Sequence, residues 1–204
     1  MKSIWSRDQA RNGSAVALTG TYASESAVKL LGPGREIIHL ATHGFVLGTD
    51  CFGASADGTL PGPAASGMAL AGANLRAGAT GDQDDGILTA EEIASLDLRG
   101  ARWAVLSGCD SGLGRIQSGE GVLGLPRAFQ IAGARTVIMS LWPVEDRWAR
   151  EWMTALYESG FGKGRSTAEA VRDASLAVLR GRRARQLDTN PFYWGAFVAI
   201  GDWR

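Results

Sequence analysis

Only two histidines and two cysteines occur among the 204 residues, and that scarcity removes several chemistries at once. Cys51 and Cys109 cannot form the disulfide framework that staples a small secreted domain. No charged segment followed by an apolar core begins at Met1, so no signal peptide is read there and a reducing cytoplasm is the expected compartment. No uninterrupted apolar run approaches the roughly 20 residues needed to cross a bilayer, and no membrane partner is expected. Net charge is missing too. Twenty-one basic and twenty-one acidic residues cancel, which leaves no global field to attract nucleic acid. The basic set is almost all arginine, and its densest cluster, Arg180, Arg182, Arg183 and Arg185, reads as a solvated helix end. His39 and His43 have a spacing that serves zinc only on a helix; here they lie in an apolar, strand-like run with no third ligand cluster. Neither a metal nor a cofactor is expected.

What is present is enough apolar material, 45% of the residues, for one substantial core, and a single domain over residues 1–204 is expected. Ala15–Leu18 and Glu36–Ala41 read as strands, with a helix over Ser24–Leu31 stopped by Gly32, Pro33 and Gly34. From Gly44 to Asp85 glycine, alanine, serine, proline and aspartate dominate, with little periodicity beyond the apolar "MALAG" at 68–72. This segment reads as either disordered or a functional lid or binding loop over the site. Thr89 and Glu92 have the spacing of a capping box at the start of a short helix. Strands follow at Trp103–Ser107 and Arg135–Trp142, separated by a helix that ends near Gly133. Two amphipathic segments, Asp146–Ser159 and Ser166–Arg180, lead to a last strand, Tyr193–Ile200. Strands apolar on both faces that alternate with helices belong to parallel sheets covered on each side, so the fold class is α/β with three layers.

In open sheets of that kind chemistry gathers at the carboxyl ends of the strands. His43 and Cys109 each stand just past such an end. His43 precedes Gly44, where the strand gives way to a loop, and its position suits a general acid or base. Cys109 is flanked by Gly108, Asp110, Ser111 and Gly112, which keep the thiol accessible, as a nucleophile requires. Taken singly, the cysteine reads equally as a small buried apolar residue and the histidine as a hydrogen-bonded core group. Their equivalent positions on two strands favour a Cys/His dyad. Cys51 has no strand end to present it. Gly119, Gly121 and Gly124 match Gly-x-Gly-x-x-Gly, with Glu145 following, but the preceding strand ends at Ser107, too far upstream for a dinucleotide fingerprint.

The blocks "HLATHGF", "DDGILTAEEIASLDL", "LSGCDSGLG", "GEGVLGLPRAFQIAGARTVIMSLWPVED" and "NPFYWGAFVAIGD" occur in the order and approximate spacing of the CHAT domain, a caspase-like peptidase domain also related to separase. The resemblance runs from about Leu18 to Asp202. It implies a caspase-hemoglobinase-like α/β fold with a mainly parallel sheet and a cysteine peptidase. His43 of "ATHG" is then the catalytic histidine and Cys109 of "SGCDSG" the nucleophile, while His39 supports the site from within its strand. In the mechanism this implies, backbone N–H groups of Gly44 and Cys109 hold the oxyanion. Separases resembling this family cleave after arginine with an acidic pocket residue, and "LWPVED" offers Asp146 as the group that would bind a basic side chain. A carboxylate that begins a helix equally caps N–H groups and favours the dipole, and both uses of Asp146 stay open.

Two departures from the family accompany the resemblance. The chain starts only seventeen residues ahead of its "LTG" block, so a sheet lacking N-terminal strands is expected, and the commoner "SACxTG" is here "SGCDSG". The expected activity is an endopeptidase that cleaves a specific protein or peptide partner, with a separate activator or repeat-domain partner. The alternative is a catalytically silent module that keeps the fold and binds peptides.

Overall fold

The computed structural model of the chain describes residues 15–46, 66–74, 84–108 and 124–204. In chain order its strands are β1 (Ile37–Leu40), β2 (Gly44–Val46), β3 (Ser66–Ala69), β4 (Ile87–Thr89), β5 (Trp103–Leu106), β6 (Thr136–Ser140) and β7 (Phe197–Gly201). Its helices are α1 (Glu25–Leu31), α2 (Ala90–Ser95), α3 (Leu125–Ile131), α4 (Asp146–Tyr157) and α5 (Thr167–Ala184). A π-helical turn, Glu158–Gly162, extends α4.

The main sheet has the order β1-β5-β6-β7. β1, β5 and β6 run parallel, Ile37 opposite Trp103 and Trp103 opposite Thr136, whereas β7 closes the sheet antiparallel, with Phe197 opposite Ser140. Every residue of β5 and β6 is buried, as expected for strands covered on both faces. Alternation divides their side chains between two cores. Ala104, Leu106, Val137 and Met139 face one side, where they meet Ile93 of α2 and Leu125, Ala128 and Phe129 of α3. Trp103, Val105 and Ile138 face the other, against Trp148, Trp152 and Leu156 of α4 and Ala170, Ala174 and Val178 of α5. The result is the three-layer α/β architecture with a mainly parallel sheet.

Local chemistry sets the helix starts. The Ser24 hydroxyl accepts from the Ala27 N–H at the head of α1. Thr89 and Glu92 form the expected reciprocal capping box, and Ser166 and Glu169 form a second at α5.

Three expectations need correction. Ala15–Leu18 is not a strand; Val16 is 54% exposed, and no neighbouring strand among the described residues satisfies its backbone. The Gly44–Asp85 segment is not without regular structure, because it supplies β2 and β3, which with β4 make a separate three-stranded antiparallel sheet. The last strand begins at Phe197, since Pro191 starts a 3-10 turn, Pro191–Tyr193, ahead of it. Among the described residues no helix is long and apolar enough to cross a membrane.

Candidate active site

β1 and β5 end side by side, the Ser107 N–H donating to Leu40 O at 3.0 Å, and beyond that bond the two chains part. The first turns through Ala41, Thr42 and His43 into β2; the second continues as Gly108. The small sheet grips the turn from outside. The Ala69 N–H donates to His43 O at 2.8 Å, and the Thr42 hydroxyl donates to Ala69 O. Gly108 is held from the other direction, where the Ser140 hydroxyl at the end of β6 donates to its carbonyl at 2.8 Å. The approach leaves no room for a side chain, because a Cβ on Gly108 would lie 1.9 Å from Thr42 O and 3.3 Å from the Gly44 nitrogen. Glycine is therefore what lets these two strand ends meet.

A pocket of about 370 Å³ opens over this junction. His39, Thr42, His43, Ser107 and Gly108 line it from the strand ends, and Asp146, Ala149, Arg150, Met153 and Thr154 line it from α4. His43 and Asp146 are both exposed. Asp146 is the first residue of α4, preceded by Glu145 at the N-cap, and Glu145 makes no side-chain capping bond. Asp146 makes no side-chain hydrogen bond or ion pair among the described residues, so of the two uses left open capping is not observed, and favourable placement at the helix dipole remains. Arg150, one turn further along, likewise offers its guanidinium without an ion partner among the described residues.

Deeper in the pocket His39 is bound on both ring nitrogens. Nε2 lies 2.8 Å from Ser107 Oγ and Nδ1 lies 2.8 Å from the Tyr157 hydroxyl. Burial lowers the His39 pKa to about 4 and raises the Tyr157 phenol above its ordinary range, so both are neutral near pH 7. His39 thus belongs to the wall and His43 to the rim.

The structure brings His43, Gly108 and Asp146 to one pocket at the end of the sheet, with the Gly44 nitrogen close beside Gly108. Cys109, together with Cys51, Gly119 and Gly121, lies outside the described residues. Sequence reasoning missed Arg150, Thr154 and Tyr157. Their spacing was a readable signal, since positions 146, 150, 153–154 and 157 fall on one stripe of a helix. That stripe is the face of α4 turned toward β1 and the pocket.

A family profile described as CHAT domain matches residues 5–202. Among curated proteins, the tetratricopeptide repeat protein 28 of Mus musculus is 33% identical over 119 residues, and that of Homo sapiens 30% over 115. Each alignment covers 56% of this chain, and the chain spans only 4% of the length of those relatives. Among solved structures, the Saccharomyces cerevisiae separase–securin complex matches with 23% identity over 55% of this chain and 7% of that one, at a TM-score of 0.40.

Proposed function

The chain belongs to the CHAT domain family, and on that premise we propose that it is a cysteine endopeptidase acting through Cys109 and His43. The observation that carries the reading is the single pocket shared by His43, by Gly108, the covalent neighbour of Cys109, and by Asp146. In the proposed reaction the Cys109 thiolate attacks a peptide carbonyl carbon, and the backbone N–H groups of Gly44 and Cys109 hold the resulting oxyanion. Protonated His43 gives its proton to the departing amine as the C–N bond breaks, leaving a thioester. Water then adds to the thioester carbonyl with His43 as base, releasing the acid and restoring the thiol.

Asp146 is proposed to receive a basic substrate side chain, as a bidentate pair if that side chain is arginine. Arg150 stands one turn along the same helix, and its charge opposes a second basic residue in the pocket. The curated relatives are named as repeat proteins, so a repeat-bearing protein or segment is the proposed partner, in a cytoplasmic setting.

Mass-spectrometric labelling tests the reading with a peptide electrophile carrying arginine next to its reactive group. The parent chain is compared with Cys109→Ala and His43→Ala. Selective modification of Cys109 that falls sharply without His43 is expected. Equal reaction of Cys51 and Cys109, or no effect of His43→Ala, would overturn it in favour of a silent peptide-binding module. One observation favours that second reading: β1 has a strand on only one side among the described residues, leaving an edge on which a peptide could add.

A further inference from the structure

The hydrogen bonds of His39 have a direction, and it ends in the pocket. Tyr157 is 3% exposed, with the rings of Trp103 and Phe161 6.1 and 6.4 Å from its own. A buried phenol must find an acceptor for its proton, and among the described residues the hydrogen-bond partner of Tyr157 Oη is His39 Nδ1. Were Nδ1 to carry the imidazole proton and donate instead, the phenol proton would have no acceptor among the described residues. Tyr157 therefore donates, Nδ1 accepts, and the one proton of the neutral ring sits on Nε2, which donates to Ser107 Oγ. One lone pair of the Ser107 oxygen is thereby occupied from behind, and the Ser107 proton cannot go to His39. That proton is left to turn into the pocket that Ser107 lines, two residues before Cys109.

We propose that Tyr157, His39 and Ser107 form a one-way hydrogen-bond relay that fixes the Ser107 hydroxyl as a donor to a backbone carbonyl of the bound peptide. The proposal deepens the peptidase reading and rests on it for the identity of the occupant. Ser107 is the residue that touches substrate; His39 and Tyr157 are positioning residues. No bond is made or broken in the relay. Its work is orientation: a hydroxyl proton that cannot go to His39 is directed at a carbonyl in the pocket. The relay also separates the two histidines by task. His39, with both nitrogens engaged, has no lone pair or proton free for the thiol chemistry, which leaves that to His43 on the rim. The charged and titratable groups that share the pocket with His39 are His43, Asp146 and Arg150, and Tyr157 lies behind it.

The chain has two histidines in all, so the imidazole nitrogens of the full chain can be observed by NMR without crowding once His43→Ala has identified each ring. His39 is expected as the Nε2–H tautomer, neutral from pH 8 down to at least about 5, against an ordinary midpoint near 6.5. In Tyr157→Phe the tautomer preference should collapse to a mixture. A His39 ring in the Nδ1–H form, or one that titrates near 6.5 in the folded chain, would overturn the relay whatever the chain's activity.

The second arm measures inactivation by the peptide electrophile of the labelling test beside a small non-peptide alkylator. Ser107→Ala is expected to weaken the concentration dependence for the peptide reagent about tenfold, the loss of one hydrogen bond, with the small alkylator unaffected. Tyr157→Phe should give part of that loss. Equal affinity of parent and Ser107→Ala for the peptide reagent would overturn the substrate contact. A parent chain that the small alkylator modifies at Cys109 but the peptide reagent does not would instead sink the peptidase reading, and the tautomer measurement would still decide the relay.

Discussion

Replacing Gly108 with alanine tests how tightly the turn that carries His43 is held against the end of β5. The added methyl carbon would start 1.9 Å from Thr42 O, 3.1 Å from the Thr42 carbonyl carbon and 3.3 Å from the Gly44 nitrogen. All three are backbone atoms, so no rotamer change relieves the clash, and Thr42 must retreat by more than about 1 Å to reach ordinary contact. Retreat strains the bonds on each side: the Thr42 hydroxyl to Ala69 O, the Ala69 N–H to His43 O, and the Ser140 hydroxyl to Gly108 O. Overpacking of this kind costs about 1–3 kcal/mol. In a chain of this size that lowers Tm by a few degrees to about 10 °C. The functional effect should be larger, since a displacement of about 1 Å between His43 and the residue after Gly108 can cost about 10²-fold in rate. Thermal unfolding and the rate of Cys109 labelling are the two readouts, with Gly162→Ala as a control, because a methyl group there meets nothing within 4 Å. If Gly108→Ala keeps the parent Tm within about 1 °C and labels at the parent rate, the close approach of the two strand ends is wrong. The family's commoner alanine at this position then requires no wider turn either.

Thr167→Val should lower the urea midpoint by the equivalent of about 1–3 kcal/mol with an unchanged m-value, because it strands the buried Trp103 indole N–H, which donates to Thr167 Oγ1 at 3.0 Å. Combining it with Trp103→Phe, which removes the donor, should cost less than the sum of the two changes. Glu25, 3% exposed, is paired with Lys29, and its Oε2 makes no hydrogen bond among the described residues; burial, with Asp84 and Glu92 beside it, raises its pKa from 4.5 to about 7. The folded state then holds the proton more tightly than the unfolded chain, so this group's contribution to stability is full below about pH 4.5 and is lost as pH rises through about 7. Glu25→Gln should remove that fall, leaving Lys29 its 2.9 Å contact with Glu92, and chemical denaturation at pH 5 and pH 8 would expose an error as a parent and variant that decline alike.

Much of the architecture was legible along the chain because its causes are local. β5 and β6 announce themselves as runs apolar on both faces, Thr89 and Glu92 carry the start of α2 in their spacing, and the period of α4 points one stripe of side chains the same way. Motif order named His43 and Asp146, and the fold places both on one pocket. What was not legible depended on partners distant in sequence. Ala15–Leu18 has the composition of a strand and no described neighbour to pair with, while Ser66–Ala69 and Gly44–Val46, poor in strand signals, pair because β4 offers an edge to the first and the first offers one to the second. The tasks of the two histidines show the division most clearly. They are four residues apart in an apolar run, and nothing in that run says that a tyrosine 118 residues from His39 will donate to it. His39 ends within β1, between β5 and α4, where both nitrogens are claimed and burial keeps the ring neutral. His43 lies past the strand end, where the backbone turns outward and the ring meets solvent and the pocket. Residue type and spacing put a histidine at each place; desolvation and hydrogen-bond partners, which exist only once the layers pack, decided that the ring of His39 is held neutral in the wall while that of His43 stands exposed at the pocket.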